Sequence, residues 1–486
     1  MRKFIIKRVV SSLLLIIFMF FSNVSALAVH DDLKGGAILH AWCWSFKTIK
    51  DHIPDIKAAG YDAVQVSPPQ ESYKRKDCSK CIEQNWFYFY QPTNFKVGNL
   101  LGTKEEFKEM CGIANKFKVK VIVDIVANHV AKEMEEVSPD IKTIPDVFRN
   151  RGGLPNNNPD RFETTHCDLL GLHSLNINNE KVREMIKNYM NDCLDCGVWG
   201  FRYDAAKHIE LSNEIDRNKK TFGSDFWKEI TENAENNGAK WQYGEVLQDG
   251  LVNFKGYSEY MDVTASEYGK KIRKAIRDRC LDHNKIMNYD SGEKDKHVDD
   301  NKLVTWVESH DNYANSKKFE GENASFELTD EQIKLGWAIV AGRAAGVPLF
   351  FSRPNSNLVS IIKAQDDCDK KYYDRIKFDD SLKFDNMGEN CTLFKDPCIV
   401  AINKFRKLMK GEDEYLRSKD NKLFIIERGN KGMIIVNISG NSKVSSETRL
   451  SDGIYIDAIS KKEFKVKNGK IVGNTKNEIT ILTKKQ

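Results

Sequence analysis

The chain has almost no charge imbalance, no apolar run long enough to span a membrane, and no cysteine before Cys43. Among its 486 residues, 75 are Lys or Arg and 70 are Asp or Glu. Arg2, Lys3, Lys7 and Arg8 are the only charged residues in the first 28, so the remainder carries 71 basic against 70 acidic side chains. A nearly neutral chain offers no electrostatic case for nucleic acid or an anionic membrane, and its substrate need not be charged. The apolar stretch Leu13 to Phe21 falls well short of the roughly 20 residues that cross a bilayer. With basic residues before it and Ala26-Leu27-Ala28 after it, it reads as a signal peptide over 1–28, so the mature chain is expected to be secreted and extracellular. Because the first cysteine lies beyond any cleavage point, a lipid anchor is not expected, nor stable membrane association after cleavage.

Cysteine is present in an odd number, 11, which leaves at least one thiol without an internal partner. Cys78-x-x-Cys81 and Cys193-x-x-Cys196 have the internal spacing of zinc ligands, but they lie far apart in the chain. A shared zinc, a disulfide at Cys78 and Cys81, and ordinary buried thiols all remain open from sequence.

The stretch that organises the rest is Gly200-Phe201-Arg202-Tyr203-Asp204-Ala205-Ala206-Lys207-His208. It follows an amphipathic helix pattern over 182–196 and a turn at Gly197, so it reads as a short strand ending on an acid. Arg202 lies on the same strand face as Asp204 and should hold that carboxylate ionised. Alone, the pair is also compatible with a simple strand-end salt bridge. The same pattern recurs in Val121-Ile122-Val123-Asp124-Ile125-Val126-Ala127-Asn128-His129, in Trp241-Gln242-Tyr243-Gly244-Glu245, and in the run from Leu303 to Val307 leading into Glu308-Ser309-His310-Asp311. Four strand-like runs from distant segments each finish in Asp, Glu or His. That is how a (β/α)8 barrel assembles a site at the C-terminal ends of its strands.

These four segments resemble, in order, the signature regions of the α-amylase superfamily of retaining glycoside hydrolases. The resemblance implies a TIM barrel with a small inserted domain after strand three and a C-terminal antiparallel β-sandwich domain. It implies Asp204 as nucleophile, Glu245 as general acid/base and Asp311 as the carboxylate stabilising the transition state. Arg202 would orient the nucleophile, while His129 and His310 would bond sugar hydroxyls. The residue types suit the chemistry, because retention needs one ionised carboxylate and one protonated carboxylic acid about 5 Å apart. Their environments must therefore differ, with Arg202 lowering Asp204 and negative neighbours raising Glu245. Histidines that stay neutral can donate to hydroxyls without adding charge.

The resemblance and the residue patterns together divide the chain into a barrel over 29–130 and 174–410, an insertion over 131–173 and a β domain over 411–486. Length allows a barrel of about 250 to 400 residues plus an appendage. Between strands two and three, Trp86-Phe87-Tyr88-Phe89-Tyr90-Gln91 has five consecutive aromatics, which an extended segment cannot turn to one core. They either tuck partly under the rim or face substrate; the resemblance implies Tyr90 stacking on sugar at the cleavage point, with Trp86, Phe87 and Gln91 lining neighbouring positions. Lys207 and His208 resemble the pair that polymer-acting members place on the leaving-group side, although Lys207 also reads as a solvated loop charge.

The resemblance further implies calcium between insertion and barrel, with Asn128 and the His208 carbonyl at ligand positions. In Leu170-Gly171-Leu172-His173-Ser174-Leu175-Asn176, however, Ser174 stands where the family carries an aspartate. Calcium takes roughly six to eight oxygens and favours carboxylates, so the site is expected to be weakened, with Asp168 or water as substitutes. No cluster resembling a starch-binding module is found in the β domain. The expected activity is endo-hydrolysis of an α-1,4-glucan by a monomer, with glucan transfer through the same intermediate as the alternative and a non-catalytic carbohydrate binder as a more distant one.

Overall fold

The computed structural model of the protein describes residues 33–73, 86–155, 159–289, 297–315, 320–354 and 387–485. The expected signal peptide and the Cys78 and Cys81 pair lie outside the described residues. Along the chain come β1 (Ile38–Ala41), β2 (Ala63–Val66), β3 (Gln70–Ser72), β4 (Pro92–Val97), β5 (Lys120–Ile125), β6 (Gly200–Tyr203), β7 (Trp241–Gly244), β8 (Asp262–Thr264), β9 (Leu303–Trp306) and β10 (Val347–Phe351). All except β3 and β4 are parallel and close into an eight-stranded barrel in the order β1-β10-β9-β8-β7-β6-β5-β2. Residues of β1, β2, β6, β9 and β10 are buried throughout, as expected for parallel strands covered on both faces. β3 and β4 form a separate antiparallel pair.

The helices between strands begin at conventional caps. Thr103 and Glu106 form a capping box on Lys104–Lys116, Thr329 and Gln332 do the same on Asp330–Gly342, and Asn179 caps Glu180–Asp195. Gly60, with φ 91°, follows the helix Phe46–Ala58 in the left-handed conformation that ends it. Gly200 opens β6 for a different reason: a Cβ there would stand 2.4 Å from the Trp241 carbonyl oxygen on β7. A side chain at 200 would force these two strands apart, and they are the strands that end in Asp204 and Glu245.

Between β5 and the helix before β6, regular structure is sparse. Short helices Pro139–Lys142 and Arg161–His166 are joined by isolated bridges such as Phe148 with Leu175 and Gly153 with Asp168. After residue 410 come β11 (Glu414–Lys419), β12 (Leu423–Arg428), β13 (Gly432–Asn437), β14 (Lys443–Glu447), β15 (Gly453–Asp457), β16 (Glu463–Lys467), β17 (Lys470–Asn474) and β18 (Ile479–Lys484). They make one continuous antiparallel sheet. Alternation splits its apolar residues: Phe424, Ile426, Ile434, Val436 and Ile481 join the barrel's core, while Ile425, Met433, Ile435 and Leu482 build the domain's own. Cys193 and Cys196 are free, buried thiols.

Candidate active site

At the C-terminal end of β6 the chain continues as a strand for one more bond, Asp204 N–H to the Ile125 carbonyl at 2.9 Å, and then turns sharply. Ala205 takes the turn with φ 47°, a left-handed conformation that costs a non-glycine residue about 1 kcal/mol or more. The turn aims the Ala205 N–H at Glu245 Oε2, 2.9 Å away. Glu245 is likewise set by a strand-like bond, from its own N–H to the Tyr203 carbonyl at 2.9 Å. The backbone of one strand end therefore holds the acid of the next.

Arg202 lies beneath both carboxylates with its side chain 5% exposed. Nη1 donates to Asp204 Oδ1 at 2.8 Å and Nη2 reaches Glu245 Oε2 at 3.0 Å. Nη1 also binds both oxygens of Asp124, at 2.7 and 2.8 Å. Asp124 is the residue that sequence reasoning missed. It was quoted within a strand run but given no task, yet it is fully buried, bonds Arg202, and accepts from the Tyr90 hydroxyl at 3.0 Å. The missing signal was cross-strand register, since Asp124 and Arg202 are direct partners on β5 and β6.

Three carboxylates thus share one guanidinium, and Asp311 adds a fourth acid nearby. Burial pushes the Asp204 carboxyl up, to about 8, against the pull of Arg202, and raises Asp124 to about 6. Burial also dominates at Asp311, whose carboxyl stands well above its ordinary range. Burial raises Glu245 too, but Arg202, the Ala205 N–H and His310 outweigh it and hold it below its ordinary value. This inverts the expected order, in which Arg202 was to keep Asp204 low. The reason is the division of one positive charge among three acids. The group titrates together, with Asp204 and Asp311 raised and Glu245 lowered.

The histidines behave as expected of neutral hydrogen-bonding groups. Burial lowers His129 to about 4 and His310 to about 3. His129 Nε2 is 3.0 Å from the Tyr90 carbonyl oxygen, and the Tyr90 ring stacks on His310 with centroids 5.1 Å apart. Trp86 meets both rings edge-on, so the aromatic run forms one wall. Tyr88, Phe89 and Tyr90 are buried, whereas Trp86, Phe87 and Gln91 are half-buried.

Asp204, Glu245 and Asp311 open into one cavity of about 730 Å³. His129, His310 and the aromatic wall of Trp86, Phe87, Tyr90 and Gln91 line it as well. Lys207 and His208 also line it, Lys207 paired with Asp249 at 3.1 Å and His208 Nδ1 2.9 Å from the Thr164 carbonyl oxygen. Every residue proposed from sequence to touch substrate therefore lines the same cavity, and Arg202 underlies it.

The family model described as alpha amylase, catalytic domain, matches residues 45–312, more than half of the chain. The chain belongs to the α-amylase family. An α-amylase of Clostridium acetobutylicum is 37% identical over 434 residues, covering 87% of this chain and 50% of that protein. An α-amylase of Butyrivibrio fibrisolvens is 34% identical over 507 residues, covering 95% of this chain and 48% of that protein. The chain thus spans about half the length of the curated relatives it matches. Among solved structures, α-amylase I of Eisenia fetida superposes with a TM-score of 0.72 at 18% identity, over 93% of this chain and 97% of that one, a likeness of fold.

The calcium position implied by the family is not furnished here with a calcium donor set. Asn128 supplies one neutral amide, whose nitrogen lies 3.3 Å from His129 Nδ1. The Ser174 hydroxyl donates to the Cys167 carbonyl at 3.0 Å. The Asp168 carboxylate, the candidate substitute, accepts from the Ser174 N–H at 3.0 Å and faces His173 at 3.7 Å. Among the described residues no group of three or more His, Cys, Asp or Glu side chains is placed to hold a metal ion. These residues do not fit as a carboxylate-rich calcium cage.

Proposed function

We propose that the chain hydrolyses internal α-1,4-glucosidic bonds of starch- or glycogen-type polysaccharides, with retention, as a secreted monomeric enzyme. The observation that carries the reading is one buried guanidinium gripping Asp204 and Glu245 side by side at the floor of an aromatic-walled cavity. The naming of the 34–37% identical relatives as α-amylases supports the substrate class. The basic, apolar and small-residue order of the first 28 residues supports export.

In this reading Asp204 attacks the anomeric carbon while Glu245 gives its proton to the departing glycosidic oxygen, leaving a covalent glycosyl-enzyme. Water then attacks the same carbon, Glu245 takes its proton, and the Asp204 ester bond breaks. Asp311, with His129 and His310, holds the ring hydroxyls as positive charge develops. Tyr90 stacks on the sugar at the cleavage point, and Lys207 and His208 hold units on the leaving-group side. Before attack, the proton favoured on Asp204 must pass to Glu245, and both acids bond the same guanidinium.

That transfer fixes the alkaline limit. A proton that leaves a carboxyl set near 8 is no longer available to the pair above that pH. We expect kcat/KM on a soluble malto-oligosaccharide to fall about tenfold per pH unit above roughly 8. A flat profile through pH 9.5 would contradict this proton assignment.

The test of the function itself is a product time course on soluble starch, following reducing ends and chain lengths together. Rapid shortening with steady release of reducing ends is expected. Redistribution of chain lengths without new reducing ends would instead assign transfer, and no change in either would sink the glucan reading.

A further inference from the structure

We propose that the insertion over 131–173 is fastened to the barrel by two buried arginine clamps, and that this junction holds without a calcium ion. The first clamp is Arg149, whose Nη2 donates to Glu210 Oε1 at 2.6 Å, with side chains 5% and 0% exposed. The second is Arg161, whose Nε and Nη2 both donate to Glu214 Oε1, at 3.0 and 2.8 Å. The same guanidinium donates through Nη1 to the Lys207 carbonyl at 2.9 Å and lies 2.9 Å from the Tyr257 hydroxyl. Tyr257 in turn donates to the Ile209 carbonyl at 2.6 Å. One side chain of the insertion thus ties down the turn after β6 and the segment before β8.

Two features set these clamps apart from surface ion pairs. The second oxygens of Glu210 and Glu214 are buried and have no hydrogen-bond partner, so Arg149 and Arg161 carry most of the compensation each carboxylate receives. Losing an arginine would strand a buried negative charge. The Arg161 guanidinium also binds the carbonyl one residue before His208, whose own carbonyl was the expected calcium ligand. Of the other expected ligands, Asn128 offers an amide, Ser174 a hydroxyl bonded to the Cys167 carbonyl, and Asp168 one carboxylate already engaged by the Ser174 N–H, a poorer set than the several carboxylates calcium favours. The hydrogen bonds of Ser174 and Asp168 to Cys167 and to Ser174's own N–H already close that corner.

The inference stands apart from the glycosidic reading, and its readouts do not depend on activity. The full chain would be unfolded by heat after dialysis against EDTA and again with millimolar calcium, and calcium retention measured by equilibrium dialysis. We expect the two melting temperatures to agree within about 1 °C and no stoichiometric calcium to be retained. Arg161→Met should lower the melting temperature by about 5 °C, equally in EDTA and in calcium, and open the insertion to limited proteolysis. Arg161→Met combined with Glu214→Gln should recover most of that loss, because the stranded charge is gone. If EDTA lowers the wild-type melting temperature by several degrees and calcium restores it, the proposal is overturned. It is equally overturned if Arg161→Met leaves both melting and proteolysis unchanged. Should Arg161→Met not fold, the double variant and the EDTA comparison decide the matter.

Discussion

Replacing Glu245 by glutamine should reduce hydrolysis of soluble starch by about 10³-fold or more while leaving glucan affinity nearly unchanged. Glutamine keeps the shape of the side chain. Its amide oxygen can accept the Ala205 N–H and the Arg202 Nη2–H as Glu245 Oε2 does, at 2.9 and 3.0 Å, so position and packing survive. What it lacks is a proton to give the departing oxygen and a base to take one from water. The loss should therefore fall on kcat. It should shrink sharply on a glycoside whose leaving group departs without protonation, because only deglycosylation then needs the base. Asp204→Asn should show no such relief, since it removes the attacking atom itself. Measuring kcat for both variants on starch and on the activated glycoside separates the roles. A Glu245→Gln enzyme within tenfold of wild type on starch would remove Glu245 from proton transfer.

The barrel was legible in sequence because its strands are short apolar runs punctuated by turn residues and polar ends. Gly200 to Tyr203 and Leu303 to Trp306 are strands at the expected positions. The carboxylates proposed to be catalytic were legible for the same reason, since each follows such a run. Four things were hidden. Asp124 could not be joined to Arg202 without knowing that β5 and β6 are neighbours in register. The protonation order could not be foreseen, because strand patterns show that Arg202 is near Asp204 but not that two further acids divide its charge or how deeply all are buried. The strands from Lys443 to Asn474 were obscured by their lysines and short polar alternation, where one face of the sheet meets solvent. The Arg161 clamp was hidden by distance, since Glu214 lies 53 residues further on.

Arg202→Met should be the most damaging single change to the resting enzyme. The guanidinium is the common counter-ion of Asp124, Asp204 and Glu245, and each loses a bond of 3.0 Å or less when it goes. Breaking a buried ion pair from one side costs about 3–5 kcal/mol, and here the stranded side holds several acids. Activity should fall by about 10²–10³-fold or more, because Asp204 can no longer ionise readily and no group holds it beside Glu245. Lysine should restore part of the stability but little of the activity, since a single ammonium cannot span the two carboxylates as the planar fork does. The stability deficit should depend on pH. With the cation removed, burial alone acts on these carboxyls, so their folded-state pKa values stand further above the unfolded value of about 4. An acid raised in this way is protonated without penalty at low pH, and it destabilises the fold increasingly as pH rises from the unfolded pKa to the folded one. Urea unfolding of wild type and Arg202→Met should therefore show a smaller gap at pH 5 than at pH 8. An equal gap at both would mean that the lost stability comes from packing of the arginine stem, and that the carboxylates do not rely on Arg202 for their charge.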